Sequence, residues 1–163
     1  MKGAWLKAIL LLPFNVTVII PALLLWYTGY QWCMPAGAQL VLGIICFCGG
    51  FGLFIKTTLL FHNVGKGTLS PWAPPERLVI QGPYKRVRNP MILGILFILL
   101  SEALLFSSCC IFIYALIFFV INCVYFKTVE EKRLLERFGQ DYRAYRDSVP
   151  MWRPDFRGKR QGK

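Results

Sequence analysis

Residues 82–94 read Gly-Pro-Tyr-Lys-Arg-Val-Arg-Asn-Pro-Met-Ile-Leu-Gly, a basic, turn-forming stretch set against the start of an apolar segment. A doubled acid, Glu130-Glu131, follows the next apolar run. Pro90 suits the first turn of a helix, and the opening amides of a helix lack intrahelical partners and bind a carboxylate. A carboxylate of the acid doublet can hold an ammonium. The two segments together can grip an amino acid head group, which carries both charges. If both emerge on one side of a membrane, they form a charged site at its surface, suited to chemistry on a lipid-like substrate.

Other chemistries lack their residues. His62 is the single histidine, so there is no Ser-His-Asp set, and Gly65-Lys66-Gly67 is too little for a dinucleotide or P-loop fingerprint. The cysteines Cys33, Cys46, Cys48, Cys109, Cys110 and Cys123 form no Cys-x-x-Cys pair with partner histidines. They read as small apolar packing residues, and no metal site is expected. The net charge of +11 is matched by anionic lipid headgroups, and no stacking-and-groove module supports nucleic acid binding.

The elements that must position the site are membrane segments. The chain has 163 residues, 56% hydrophobic and 17% charged. Apolar stretches occupy roughly residues 8–28, 38–61, 91–106 and 109–126. A spanning helix needs about 20 apolar residues, about 17 at the short end. The last two stretches meet at Ser107-Ser108 and read as a tight hairpin of two spans, with one long kinked helix as the alternative. Lys2 and Lys7 precede the first span. The 29–37 connection is uncharged, and the 62–90 connection carries Lys66, Arg77, Lys85, Arg86 and Arg88 against Glu76. Cationic segments stay cytoplasmic. The expected fold is therefore an all-α integral membrane protein: four transmembrane helices with N and C termini cytoplasmic, plus a C-terminal amphipathic helix at the cytoplasmic face. Such a site faces the cytoplasm, from the plasma or inner membrane of a bacterium or the endoplasmic reticulum of a eukaryote. The first span is longer than a signal-peptide core, and Gly29-Tyr30-Gln31-Trp32 offers no small-residue cleavage site.

Pro13 and Pro21 predict kinks in span one. Gly43, Gly49, Gly50 and Gly52 predict close helix packing in span two, and Lys56 can snorkel to the interface. The loop 62–90 is too rich in Gly and Pro for a regular helix and too long for a mere connector, and Trp72 within it suits the interface. Residues 127–146 predict an amphipathic helix, with Leu134, Leu135, Phe138, Tyr142 and Tyr145 on an arc about 100° wide. Lys132, Arg133, Glu136 and Arg143 lie mostly opposite. Glu131 falls inside the apolar arc and Glu130 at its edge, so each needs a partner. A structural salt bridge to Arg86 or Arg88 is the alternative to a role in binding. Residues 147–156 look extended, and 157–163 form a basic, disordered tail after a single domain, 1–156.

These residues reach a known family. Gly82-Pro83-Tyr84, Arg88-Asn89-Pro90 to Gly94, Glu130-Glu131, Phe138-Gly139-x-x-Tyr142-x-x-Tyr145 and Val149-Pro150 resemble the isoprenylcysteine carboxyl methyltransferase and phospholipid methyltransferase superfamily, over roughly residues 62–154. The resemblance implies a multi-span membrane enzyme using S-adenosylmethionine. It implies that Leu78, Val79, Tyr84, Asn89, Pro90, Met91, Ile92 and Glu130 line the cofactor pocket, and the helical arc adds Glu131. The family's usual Arg-His-Pro followed by Tyr is altered here, with Asn89 in place of the His and Ile92 in place of the Tyr. The Gly65-x-Gly67 pair resembles a glycine motif of the phospholipid branch, against a flexible turn. Arg88 and Glu131 are the candidate catalytic residues; Arg86 or Arg88 can orient an anionic acceptor, with a surface or headgroup contact as the alternative for either.

Two other function classes remain at this point. One is a small four-span transporter with Glu102 as an intramembrane carboxylate. The other is a non-catalytic subunit that binds cofactor or lipid. Prenylated cysteine, phospholipid amine and small thiol are all open as acceptors, and the oligomeric state is not legible.

Overall fold

A computed structural model describes residues 10–65 and 77–152. The expectations about Lys2, Lys7, Lys66, Gly67, Trp72, Glu76 and the 157–163 tail lie outside the described residues. The described residues are helical, with no strands. A π-helical segment (Leu10–Ile19) runs into α1 (Ile20–Tyr27), followed by α2 (Gly37–Asn63), a 3-10 turn (Gly82–Lys85), α3 (Pro90–Leu105) and α4 (Cys109–Tyr125). A π-helical turn (Phe126–Glu130) then leads directly into α5 (Glu131–Ser148).

Hydropathy separates these elements. Gly37–Asn63 and the continuous Cys109–Ser148 rod are long and apolar enough to cross a membrane, while Pro13–Tyr27 and Pro90–Leu105 are shorter apolar helices. Large apolar side chains such as Ile45, Phe51, Leu116 and Val120 are exposed on α2 and α4. A soluble protein seldom leaves so much contiguous apolar surface uncovered, and a bilayer is the solvent that suits it.

α2 and α3 pack antiparallel along a glycine seam. A Cβ on Gly50 would sit 2.8 Å from the Gly94 carbonyl, and one on Gly94 would sit 2.9 Å from the Phe54 amide. Nothing larger than hydrogen fits between the backbones. Gly43 meets Leu105 at 2.7 Å, whereas Gly49 and Gly52 face open space. The close-packing expectation therefore holds for Gly43 and Gly50 and fails for the other two.

α3 turns into α4 as a hairpin. Ser107 takes a positive φ of 47°, and Ser108 caps α4, its side chain accepting from the Ile111 amide. Gln39 ties the turn to α2 by donating to the Leu104 carbonyl and the Ser107 hydroxyl, both at 2.9 Å. The core of this layer is Ile95, Leu99 and Ala115, packed by Val16, Phe54 and Phe118. A second core sits at the other end of the rod, where Tyr142, Tyr145 and Val149 pack against Leu78, Ile80, Leu134, Leu135 and Phe138. This is the predicted amphipathic arc.

The span and the surface helix are continuous, joined through the π turn. One local feature departs from expectation: α5 is broken at Gly139, whose φ of 53° and ψ of −121° are non-helical.

Candidate active site

A cavity of about 920 Å³ lies where the two cores meet. Its membrane end is walled by Pro13 and Val16 of the π-helical segment, Ile92 and Ile95 of α3, and Phe118 and Asn122 of α4. Its middle is formed by Leu78, Val79, Tyr84, Arg88, Asn89 and Met91 from the loop before α3, facing Phe126, Tyr142 and Tyr145. Its mouth carries Arg77, Glu130, Arg133, Glu136 and Arg137. Apolar walls at one end and mixed charges at the other make the space amphiphilic.

The loop before α3 is held by the end of α5. The Tyr145 hydroxyl donates to the Tyr84 carbonyl at 2.7 Å, and the Arg88 amide donates to the Pro150 carbonyl at 3.0 Å. Burial pushes the phenols of Tyr84, Tyr142 and Tyr145 upward from their ordinary values, so all three stay neutral hydrogen-bonding groups near neutral pH. Asn89 precedes the first helical residue and makes no side-chain cap. The opening amides of α3 are thus left for another partner.

Arg88 is the centre of the network. Its Nη1 donates to Glu131 Oε1 at 2.5 Å and to the Tyr142 hydroxyl at 3.4 Å. The guanidinium lies 5.9 Å from the centre of the Phe126 ring, within cation–π range. Its Nε is buried with no hydrogen-bond partner among the described residues. A buried N–H of a charged group, left unpaired on the wall of a cavity, is a donor awaiting an acceptor.

Glu130 belongs to the π turn and lines the cavity. Desolvation raises its carboxyl above the usual range, and the nearby Arg133 guanidinium works against that shift. Single π turns inside α-helices occur frequently at functional sites.

Eight of the expected residues line one space: Leu78, Val79, Tyr84, Arg88, Asn89, Met91, Ile92 and Glu130. Pro90 is fully buried as the first residue of α3 and supplies the helix start rather than a wall. Glu131 lies behind Arg88, its carboxylate taken up by that ion pair. The two acids of the doublet thus part company: Glu130 lines the cavity and Glu131 pairs with the arginine. Arg133 and Glu136, on the polar side of the amphipathic helix, are exposed and edge the mouth. Glu102 sits in the last turn of α3 and does not line the cavity, its Oε2 buried without a partner among the described residues.

Sequence reasoning missed Val16, Asn122 and Arg137. Asn122 carried a signal, being the only amide or charged residue of α4. Val16 carried none, since nothing in an apolar run says which helix face meets a cavity. Among the described residues no group of acids, cysteines and histidines could hold a metal ion.

An all-helical membrane protein with an amphiphilic cavity at the junction of span and surface helix is the class that fold and site define. The chain belongs to the phospholipid methyltransferase family, whose profile matches residues 38–141. It is therefore a membrane methyltransferase, and the match covers both helices of the glycine seam, the basic turn and the acid doublet. Among curated proteins and solved structures, none matches the chain.

Proposed function

We propose that this protein moves a methyl group from S-adenosylmethionine to an amphiphilic acceptor, an isoprenylcysteine-like carboxylate or a lipid headgroup, which enters the cavity from the bilayer. In this reading residues 1–156 are one catalytic domain of four spans. Both termini and the 62–90 loop lie in the cytoplasm, and membrane lipids are the immediate partners. The observation that carries the reading is the single cavity in which apolar walls of three membrane segments run into Glu130, Arg88 and the start of α3.

The residues present fit the methyl donor. The Glu130 carboxylate suits its ammonium group. The α3 amides after Pro90 and the unpaired Arg88 Nε suit its carboxylate. Leu78, Val79, Tyr84, Met91 and Ile92 suit its adenosine, and Asn89 offers an amide to the same end. When bound, the donor supplies a methyl on a sulfonium, which an acceptor lone pair takes as the S–C electron pair returns to sulfur, leaving a neutral thioether.

The chain's own work is alignment. Arg88 touches the bound molecules, and Glu131 acts through Arg88 as a positioning residue. Holding two reactants in line supplies up to about 7–11 kcal/mol in ideal cases. A carboxylate, thiolate or neutral amine attacks without a strong base, so Asn89 in place of the family's usual His weakens a contact rather than removing the chemistry. The test is calorimetry of the purified protein with S-adenosylmethionine and with its demethylated product. Binding is expected, and it is lost in Glu130→Ala/Glu131→Ala. Transfer of labelled methyl into a crude membrane extract then identifies the acceptor, and wild-type protein that binds neither molecule in lipid contradicts the reading.

A further inference from the structure

The membrane end of the cavity holds one side chain that packing does not explain. Asn122 sits in α4 among apolar neighbours and lines the cavity. A polar side chain inside a span commonly glues two helices together. Asn122 does not, because its Nδ2 donates to Phe118 of its own helix at 2.8 Å. That bond also fixes the amide orientation: a backbone carbonyl only accepts, so the nitrogen must face it. The carboxamide oxygen takes no part in that bond and is the atom of this side chain that can accept a hydrogen bond.

The π turn then makes sense of the rod. In a regular α-helix, residues eight apart drift by about 80°. The π turn Phe126–Glu130 closes its bonds over one more residue, so each residue advances less. The under-rotation brings Glu130 back to the side of Asn122, and Asn122, Phe126 and Glu130 all line the cavity. The rod presents a neutral acceptor at membrane depth, an aromatic face above it, and a carboxylate at the surface.

We infer that Asn122 orients the methyl acceptor, its carboxamide oxygen receiving a hydrogen bond from an N–H or O–H on the acceptor's reacting group. This rests on the methyltransferase reading above and narrows its acceptor to groups that carry such a hydrogen. For a neutral amine, one N–H is held by Asn122 and the nitrogen lone pair is left to form the new N–C bond. The product ammonium then releases its proton to water at the cavity mouth. A fully ionised carboxylate gains nothing from this oxygen.

The experiment uses full-length protein in nanodiscs of phosphatidylcholine with graded phosphatidylethanolamine. It compares wild type with Asn122→Leu, an apolar change that keeps the span's hydropathy, and with Asn122→Gln, which keeps the oxygen. Three quantities are read: donor affinity by calorimetry, retained lipid by native mass spectrometry, and labelled methyl transfer. Asn122→Leu should leave donor affinity within about twofold, reduce retained amine lipid, and lower acceptor kcat/KM roughly tenfold, the value of one hydrogen bond. Asn122→Gln should recover part of that loss. If wild type transfers methyl and Asn122→Leu matches it on the amine lipid, the role of Asn122 is overturned while the methyltransferase reading stands. Parallel loss of donor affinity and thermal stability in Asn122→Leu overturns it as well. Wild-type protein that binds no S-adenosylmethionine overturns both.

Discussion

Arg88 Nη1 and Glu131 Oε1 lie 2.5 Å apart, with the two side chains 10% and 14% exposed. One residue comes from the loop before α3 and the other from the first turn of α5, so the pair joins the two halves of the cavity wall. A buried ion pair contributes little net stability against an apolar substitute, but removing one partner strands a charge. Glu131→Ala should therefore cost about 3–5 kcal/mol. Arg88→Met/Glu131→Leu should cost clearly less than the sum of the single changes. A double-mutant cycle on thermal unfolding in detergent measures the coupling, and additive losses would contradict it.

Glu130 should oppose stability and favour binding. Its carboxyl is raised in the folded protein, chiefly by desolvation. A raised folded value means that the group's contribution is present when it is protonated and is lost as pH rises through that value. Glu130→Gln should accordingly raise the melting temperature at pH 8, with the gain vanishing in acid. The same variant should weaken S-adenosylmethionine roughly tenfold or more, the worth of a charge-assisted hydrogen bond. Donor affinity of the wild type should fall as pH drops, beginning above the range of an ordinary carboxylate. Calorimetry and unfolding across the same pH series check both signs.

The glycine seam gives a paired test. A methyl at Gly94 would meet backbone atoms of α2 at 2.9 and 3.0 Å, whereas one at Gly49 meets nothing within 4 Å. Gly94→Ala should destabilise by about 1–3 kcal/mol through overpacking. Gly49→Ala should be neutral or slightly stabilising, since alanine favours helix. Equal effects would mean that the helices approach differently.

Gly139 allows a backbone test. Open space surrounds its missing Cβ, yet its φ of +53° is one that L side chains rarely adopt. Gly139→Ala should cost about 1–3 kcal/mol from backbone strain alone. Gly139 itself does not line the cavity, so unfolding temperature should fall by more than donor affinity measured at low temperature.

The apolar helices were legible because hydropathy acts over whole segments, and the Ser107-Ser108 turn interrupts a long apolar run. The amphipathic arc of α5 was legible for the same reason, since Leu134, Phe138, Tyr142 and Tyr145 repeat with the helix. The acid doublet drew attention because a carboxylate in an apolar arc demands a partner. Which acid takes which partner was not legible: that depends on the π turn, and a one-residue change in helical hydrogen bonding leaves no mark on composition. Gly139 was read as part of a continuous helix because a lone glycine is tolerated there. Arg133 and Glu136 are exposed, as the helical wheel predicts, but their place at the edge of the cavity was not legible, because a wheel says nothing of what other segments build beside it. Val16 belongs to the wall through tertiary packing alone.

The latch from the Arg88 amide to the Pro150 carbonyl has a consequence for biosynthesis. The basic turn leaves the ribosome well before its partners Tyr145 and Pro150 have been translated. Co-translational insertion can seat α2, α3 and α4 in turn, but the pocket wall closes only after the surface helix has emerged and folded back. Until Glu131 has been made, the Arg88 guanidinium lacks the carboxylate it pairs with in the finished fold, so the ion pair and the pocket wall form in the same late step.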